Sequence, residues 1–125
     1  MTVGSIGAGR VGLAALRRLV PFGVKLCYSD PHRLSPQVEK ELGGAVYYEN
    51  HDDLVKNVDA LLVNAPLHPG TERMFDAKLI ASMRRGSYIV NNARGKLMVT
   101  QAVVDGASCC ASREQELIRA SRPLF

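Results

Sequence analysis

Three glycines, an aspartate and an arginine carry the most legible chemistry in this 125-residue sequence. Gly7, Gly9 and Gly12 form the string G-A-G-R-V-G, directly after the apolar run TVGSI and at the opening of a segment with helical apolar spacing. Between a strand and a helix, such a turn suits a dinucleotide. Gly7 permits the tight turn, Gly9 leaves room for a pyrophosphate to approach the backbone, and Gly12 lets helix and strand pack closely. The helix start then offers free N–H groups and a partial positive charge to phosphate. The competing reading is a glycine turn with a structural role alone. Asp30 closes the next apolar run, where a carboxylate accepts hydrogen bonds from adenosine ribose hydroxyls and repels a 2′-phosphate. That favours NAD over NADP, although His32 and Arg33 stand close enough to soften the preference. The plainer alternative for Asp30 is an Asp-Pro turn.

Arg94 stands in NNARGK, behind the β-favouring run SYIV and directly before a glycine. Strands of parallel sheets place functional side chains at their carboxyl ends, so its guanidinium could hold an anionic substrate. Taken alone, an arginine after a strand is more often solvated than catalytic. The loop NAPLHPGTERM sets Asn64, Pro66, Leu67, His68 and Thr71 at the same kind of edge, and His68 by itself reads as a loop residue. Three histidines and three cysteines show no zinc spacing, so no metal is expected, and no nucleophile elbow is present.

These residues need a scaffold that brings strand ends together, and the order of elements supplies one. TVGSI reads as a strand. Val11, Leu13, Ala14, Leu16, Leu19 and Val20 mark the apolar face of a helix. A second strand is expected near Val24 to Ser29, then a helix capped by Ser35 with Pro36 at its first position. AVYY, DALLVNAP and SYIVNN read as three further strands, separated by a short helix at HDDLVKN and another after Asp76. Alternating strands and helices predict an α/β, doubly wound parallel sheet of the Rossmann dinucleotide-binding kind. The stretch after Asn92 starts like a helix and then loses its period, with no sixth strand, so the fold is expected to be incomplete on its C-terminal side.

Composition agrees with one soluble domain: 46% of residues are hydrophobic, enough for one core. A formal charge of +4 admits a polyanionic partner. The cations are scattered in pairs such as Arg17 and Arg18, however, without interleaved stacking aromatics, so no nucleic acid is expected and a small anion suits the charge at least as well. No leader opens the chain, and no apolar stretch nears the roughly 20 residues of a membrane span. Cys27 in an apolar run and the adjacent Cys109 and Cys110 do not resemble a disulfide framework, which points to a reducing, cytoplasmic compartment.

With G-A-G-R-V-G, YSDPHRLSPQVEKEL, NAPLHPGTERMF and GSYIVNNARGK in this order, the chain resembles the cofactor-binding domain of NAD-dependent formate dehydrogenases, within the D-2-hydroxyacid dehydrogenase family. His68 in PLHP and Lys96 after ARG favour the formate branch over relatives acting on larger hydroxyacids. The resemblance implies that Arg10 and Val11 meet the pyrophosphate and that Asp30 holds the adenosine ribose. Pro66 to Gly70 would line the adenine and ribose side with Thr71 adjacent. Asn92 and Ala93 would lie along the nicotinamide, and Arg94 would bind the formate carboxylate as the catalytic arginine. Asn92 departs from the pattern, which has threonine there.

The resemblance covers about residues 2 to 105, so the expected organisation is an NAD-binding domain over 1–105 and a non-family tail over 106–125. The family's catalytic histidine, assisting glutamine and substrate-domain asparagine have no counterpart here, and the chain is expected to be cut short at both ends and inactive by itself. In the full-length protein a homodimer through this domain is expected. The other readings are a fragment of a D-2-hydroxyacid dehydrogenase or 2-ketoacid reductase, and a non-catalytic nucleotide-binding or dimerising module.

Overall fold

The computed structural model describes residues 1–109. Five parallel strands, β1 (Thr2–Ile6), β2 (Lys25–Ser29), β3 (Val46–Tyr47), β4 (Ala60–Val63) and β5 (Tyr88–Asn91), lie in the order β3-β2-β1-β4-β5. The helices are α1 (Arg10–Leu19), α2 (Pro36–Glu41), α3 (His51–Val55), α4 (Ala77–Ser82) and α5 (Thr100–Cys109). This is the predicted doubly wound sheet, and its strand order reverses between β1 and β4, where such folds bind ligands.

Period-two alternation sorts the strand residues onto two covered faces. Ile6, Cys27, Leu61, Val63 and Ile89 pack with Leu54 and Val55 of α3 and Leu79 of α4. Val3, Leu26, Tyr28, Ala60 and Leu62 pack with Leu16 of α1 and Val38 of α2. Leu16, Leu54 and Leu61 are fully buried, each contributing about 1.5–3 kcal/mol by leaving water. The buried Cys27 thiol is pushed up to about 11 by the loss of solvent, so it stays protonated and inert at neutral pH.

Three of the first four helices start on a side-chain cap, at Ser35 and Asp76 as expected and also at Asn50. Ser35 Oγ accepts from Val38 N–H (3.4 Å), Asn50 Oδ1 from Asp52 N–H (2.9 Å) and Asp76 Oδ1 from Leu79 N–H (2.9 Å). Helix α1 differs, because its cap residue is Gly9 and no side chain bonds its first turn.

The buried positions of α1 are Gly12 and Leu16. Val11, assigned above to the apolar face, is instead 62% exposed. The stripe that meets the sheet runs through a glycine, which an apolar count does not register. Helix α5 also outruns its sequence signal: it packs on α4 and continues past Gly106, where a Cβ would come within 2.6 Å of Ile80 Cγ2. The tail expected over 106–125 therefore begins inside this helix, and residues 110–125 lie outside the described residues. Among the described residues there are five strands, and β5 pairs only with β4.

Register makes the site. Ile6 pairs with Ser29 on one side and Val63 on the other, and Val63 pairs with Asn91. The residues that follow these, Gly7, Asp30, Asn64 and Asn92, consequently leave the sheet along one carboxyl edge.

Candidate functional site

Gly7 has φ of +94°, a left-handed conformation that favours glycine, and a Cβ there would lie 2.7 Å from the Asn64 carbonyl oxygen. At Gly12 a Cβ would lie 2.1 Å from the Gly7 carbonyl oxygen, so helix and turn approach each other only because neither has a side chain. Gly9 is different: a Cβ would meet nothing within 4 Å. Protein packing leaves that position open, while the uncapped first turn of α1 directs N–H groups into the same space with no acidic side chain in the turn. Arg10 and Val11, both exposed, border it. This opening fits a pyrophosphate.

Asp30 is half-buried and bonded at both oxygens, Oδ2 accepting from Ala8 N–H and Oδ1 from His32 N–H, each at 2.8 Å. It thus ties the end of β2 to the glycine turn and keeps lone pairs at its rim for a ribose. Tyr47 clamps the same residue from β3, its hydroxyl donating to the Asp30 carbonyl at 3.0 Å. At the switch point Ser5 Oγ donates to Gly7 O (2.7 Å) and accepts from Asn64 Nδ2 (3.1 Å). Asn64 Oδ1 is buried with no hydrogen-bond partner among the described residues.

The loop after β4 is a self-bonded turn. Thr71 Oγ1 donates to Pro66 O (2.6 Å) and accepts from His68 N–H (3.0 Å), while His68 Nδ1 accepts from Gly70 N–H (3.0 Å). Pro66, Leu67, His68, Pro69 and Gly70 are exposed and Thr71 is half-buried. This loop is zipped to the Arg94 loop by backbone bonds from Arg73 N to Lys96 O (2.8 Å), Phe75 N to Leu97 O (3.0 Å) and Val99 N to Phe75 O (3.0 Å).

Arg94 is exposed, and its guanidinium has no partner among the described residues. Its backbone is nonetheless fixed: Asn91 Oδ1 accepts from Ala93 N–H (2.9 Å) and Asn91 Nδ2 donates to Arg94 O (3.0 Å). Asn92 is exposed just past β5, with its N–H bonded to Val63 O at 3.1 Å, and Ala93 packs against the core. The structure thus brings the glycine turn, Asp30, the 66–71 loop and the 92–94 turn to one edge. Asn91, Ser5 and Tyr47 were missed from sequence. Only Asn91 left a signal, as an Asn two residues before a turn N–H.

The family model described as "D-isomer specific 2-hydroxyacid dehydrogenase, NAD binding domain" matches residues 1–108. The chain belongs to this family. Among its relatives, the formate dehydrogenase of Pseudomonas sp. (strain 101) is 48% identical over 103 residues, which are 82% of this chain and 25% of that one. Formate dehydrogenase 2, mitochondrial, of Oryza sativa subsp. japonica is 47% identical over 111 residues, 89% of this chain and 28% of the other. The chain therefore spans about a quarter of the length of the curated relatives it matches. Of solved structures, a Granulicella formate dehydrogenase superposes with a TM-score of 0.84 at 42% identity, covering 87% of this chain and 29% of that chain. The holo D-mandelate dehydrogenase of Rhodotorula graminis gives 0.82 at 28% identity, over 86% and 31%. The chain therefore carries the family's NAD-binding domain, as expected from its motifs. No helix among the described residues is long and apolar enough to cross a membrane, and among the same residues no group of three metal-ligating side chains occurs.

Proposed function

We propose that this chain is the NAD-binding part of a formate dehydrogenase, which oxidises formate to CO2 by hydride transfer to NAD. The observation that carries the reading is Arg94, an unpaired, exposed guanidinium fixed through its backbone at the edge that the glycine turn and Asp30 occupy. When bound, NAD supplies the hydride acceptor. The chain's own residues bind and orient. Gly7, Gly9, Arg10, Val11 and Gly12 take the pyrophosphate, Asp30 the adenosine ribose, and Pro66, Leu67, His68, Pro69, Gly70 and Thr71 the adenine and ribose side. Asn92 and Ala93 lie along the nicotinamide. Arg94 holds the formate carboxylate by a charge-assisted, two-point pair, so that its C–H bond is presented for transfer. Loss of CO2 requires no base to take a hydroxyl proton, so a positioned cation does more of the work than in a hydroxyacid dehydrogenase.

Formate is favoured over a larger D-2-hydroxyacid because formate dehydrogenase relatives reach 48% identity, against 28% for the D-mandelate dehydrogenase. The proposed NAD-binding unit is residues 1–105, with cytoplasmic residence, although several plant relatives carry mitochondrial names, and homodimerisation of the full-length protein through this domain. Calorimetric titration tests the reading. NAD is expected to bind more tightly than NADP, and Asp30→Ala to narrow the difference; equal affinity for both in the unaltered chain contradicts the role of Asp30. In the full-length protein Arg94→Ala is expected to abolish formate oxidation while leaving NAD binding within about threefold, since the guanidinium belongs to the substrate side.

A further inference from the structure

We propose that Glu39 enforces the preference for NAD over NADP by holding Arg33 in a closed ion pair beside the ribose-reading residue. The proposal rests on the dinucleotide reading above. Arg33 lies three residues past Asp30, on the loop where an arginine would accommodate a 2′-phosphate. From sequence it softens the preference for NAD. In the structure it is already engaged, with Nε 2.9 Å from Glu39 Oε1 and Nη2 3.2 Å from Oε2. Both carboxylate oxygens face one guanidinium, the two-point geometry in which arginine pairs most strongly.

Glu39 is a fixed post, not a mobile surface acid. Its side chain is 12% exposed against 61% for Arg33. The hydroxyl of the fully buried Tyr28 donates to Glu39 Oε1 at 2.5 Å while accepting from Leu34 N–H at 2.9 Å. The Arg33 bond and then the Tyr28 bond hold the Glu39 carboxyl below its ordinary value, so its charge is present throughout the neutral range. Arg33 also lies over the Tyr47 ring, with Cζ 5.3 Å from the centroid, and the hydroxyl of that ring bonds the Asp30 carbonyl. One contiguous set of contacts therefore joins the residue that reads the ribose to the cation that would reverse the reading. A dinucleotide carrying a 2′-phosphate meets Asp30 and a neutralised Arg33 there, and must break the pair to gain the guanidinium. Released from Glu39, the long flexible arginine side chain is free to turn to that phosphate.

Glu39→Gln isolates the charge, because the amide oxygen still accepts from Tyr28 while the pair with Arg33 is lost. Isothermal titration with NAD and with NADP would be run on the 125-residue chain, Glu39→Gln, Arg33→Ala and the double variant, with circular dichroism confirming equal folding. The expected result is NADP affinity up by about tenfold in Glu39→Gln with NAD changed less than about threefold, and the gain absent from the double variant, because Arg33 delivers it. Stabilising contacts alone would shift both dinucleotides together. An unchanged ratio in Glu39→Gln, or a gain that survives removal of Arg33, overturns the proposal. If the unaltered chain binds neither dinucleotide, the NAD reading itself falls and takes this proposal with it. Should Glu39→Gln fold poorly, Arg33→Lys gives a second test. A single-point ammonium pairs less well with the carboxylate, so NADP affinity should rise in that variant, and no rise contradicts the proposal.

Discussion

Asp30 and Arg94 stand at two ends of one sheet edge and are held in opposite ways. The Asp30 side chain is tied at both oxygens to backbone N–H groups, its carbonyl is clamped by Tyr47, and the loop behind it is anchored by Tyr28, Glu39 and Arg33. Arg94 is the reverse: Asn91 fixes its backbone and the side chain stands exposed without a partner among the described residues. The first arrangement removes the ordering cost before a ligand arrives, which is what a tight nucleotide site requires. The second presents a charge to water, where an ion pair is worth only about 0–1 kcal/mol. On the proposed reading, the residues that hold the adenosine half lie within this chain, and Arg94 holds its substrate firmly only where water is excluded around it.

The largest break in that contrast is expected at Gly12. Gly12→Ala drives a methyl group into the Gly7 carbonyl and should lower stability by about 3 kcal/mol in urea denaturation, abolishing NAD binding with it. Gly9→Ala, three residues earlier and with open space around it, should move stability by less than about 1 kcal/mol yet weaken NAD measurably in the same titration. Equal stability losses at the two glycines contradict the assignment of Gly9 to the ligand.

A smaller effect separates the two ends directly. Asp30→Ala strips two bonds from backbone N–H groups and should cost about 1–3 kcal/mol of stability, whereas Arg94→Ala should stay within about 0.5 kcal/mol of the unaltered chain. Thermal melts of the two variants side by side decide it, and a large loss at Arg94 would mean that its guanidinium has a structural partner.

The positions that the sequence made legible are those governed by local rules. The glycine spacing, the helix starts at Ser35 and Asp76, and the alternation of strands and helices each act within a few residues. What stayed hidden is long-range or lies in side chains bonding backbone: Tyr47 reaching Asp30 from β3, Ser5 bridging Gly7 and Asn64, and Glu39 capturing Arg33 from a helix. Arg33 is the clearest case, since spacing shows its proximity to Asp30 and not its partner. Asn91 stayed hidden because nothing in two adjacent asparagines says which side chain bonds the turn.

The smallest expected effect is a pH dependence at the locked end. The Glu39 carboxyl is held below its ordinary value, first by the Arg33 hydrogen bond and then by that of Tyr28. Its contribution is present above the unfolded value and is lost as pH falls through the lower folded one. Stability of the unaltered chain should therefore drop below about pH 4.5 more steeply than that of Glu39→Gln, and parallel curves in acid denaturation contradict the pairing. Tyr28, raised to about 12 by burial and then by its bond to Glu39, adds the opposite limb: stability declines as pH rises from about 10 towards 12.

The proposed contrast between a pre-ordered adenosine half at Asp30 and an exposed Arg94 is tested most directly by titrating this chain with ADP-ribose and with NAD under one buffer. If the glycine turn, Asp30 and the locked loop supply the binding, the two ligands should agree within about threefold, since the nicotinamide adds little in an edge open to water. NAD binding more than tenfold tighter than ADP-ribose would contradict the account, because the nicotinamide end would then hold its ligand without further enclosure.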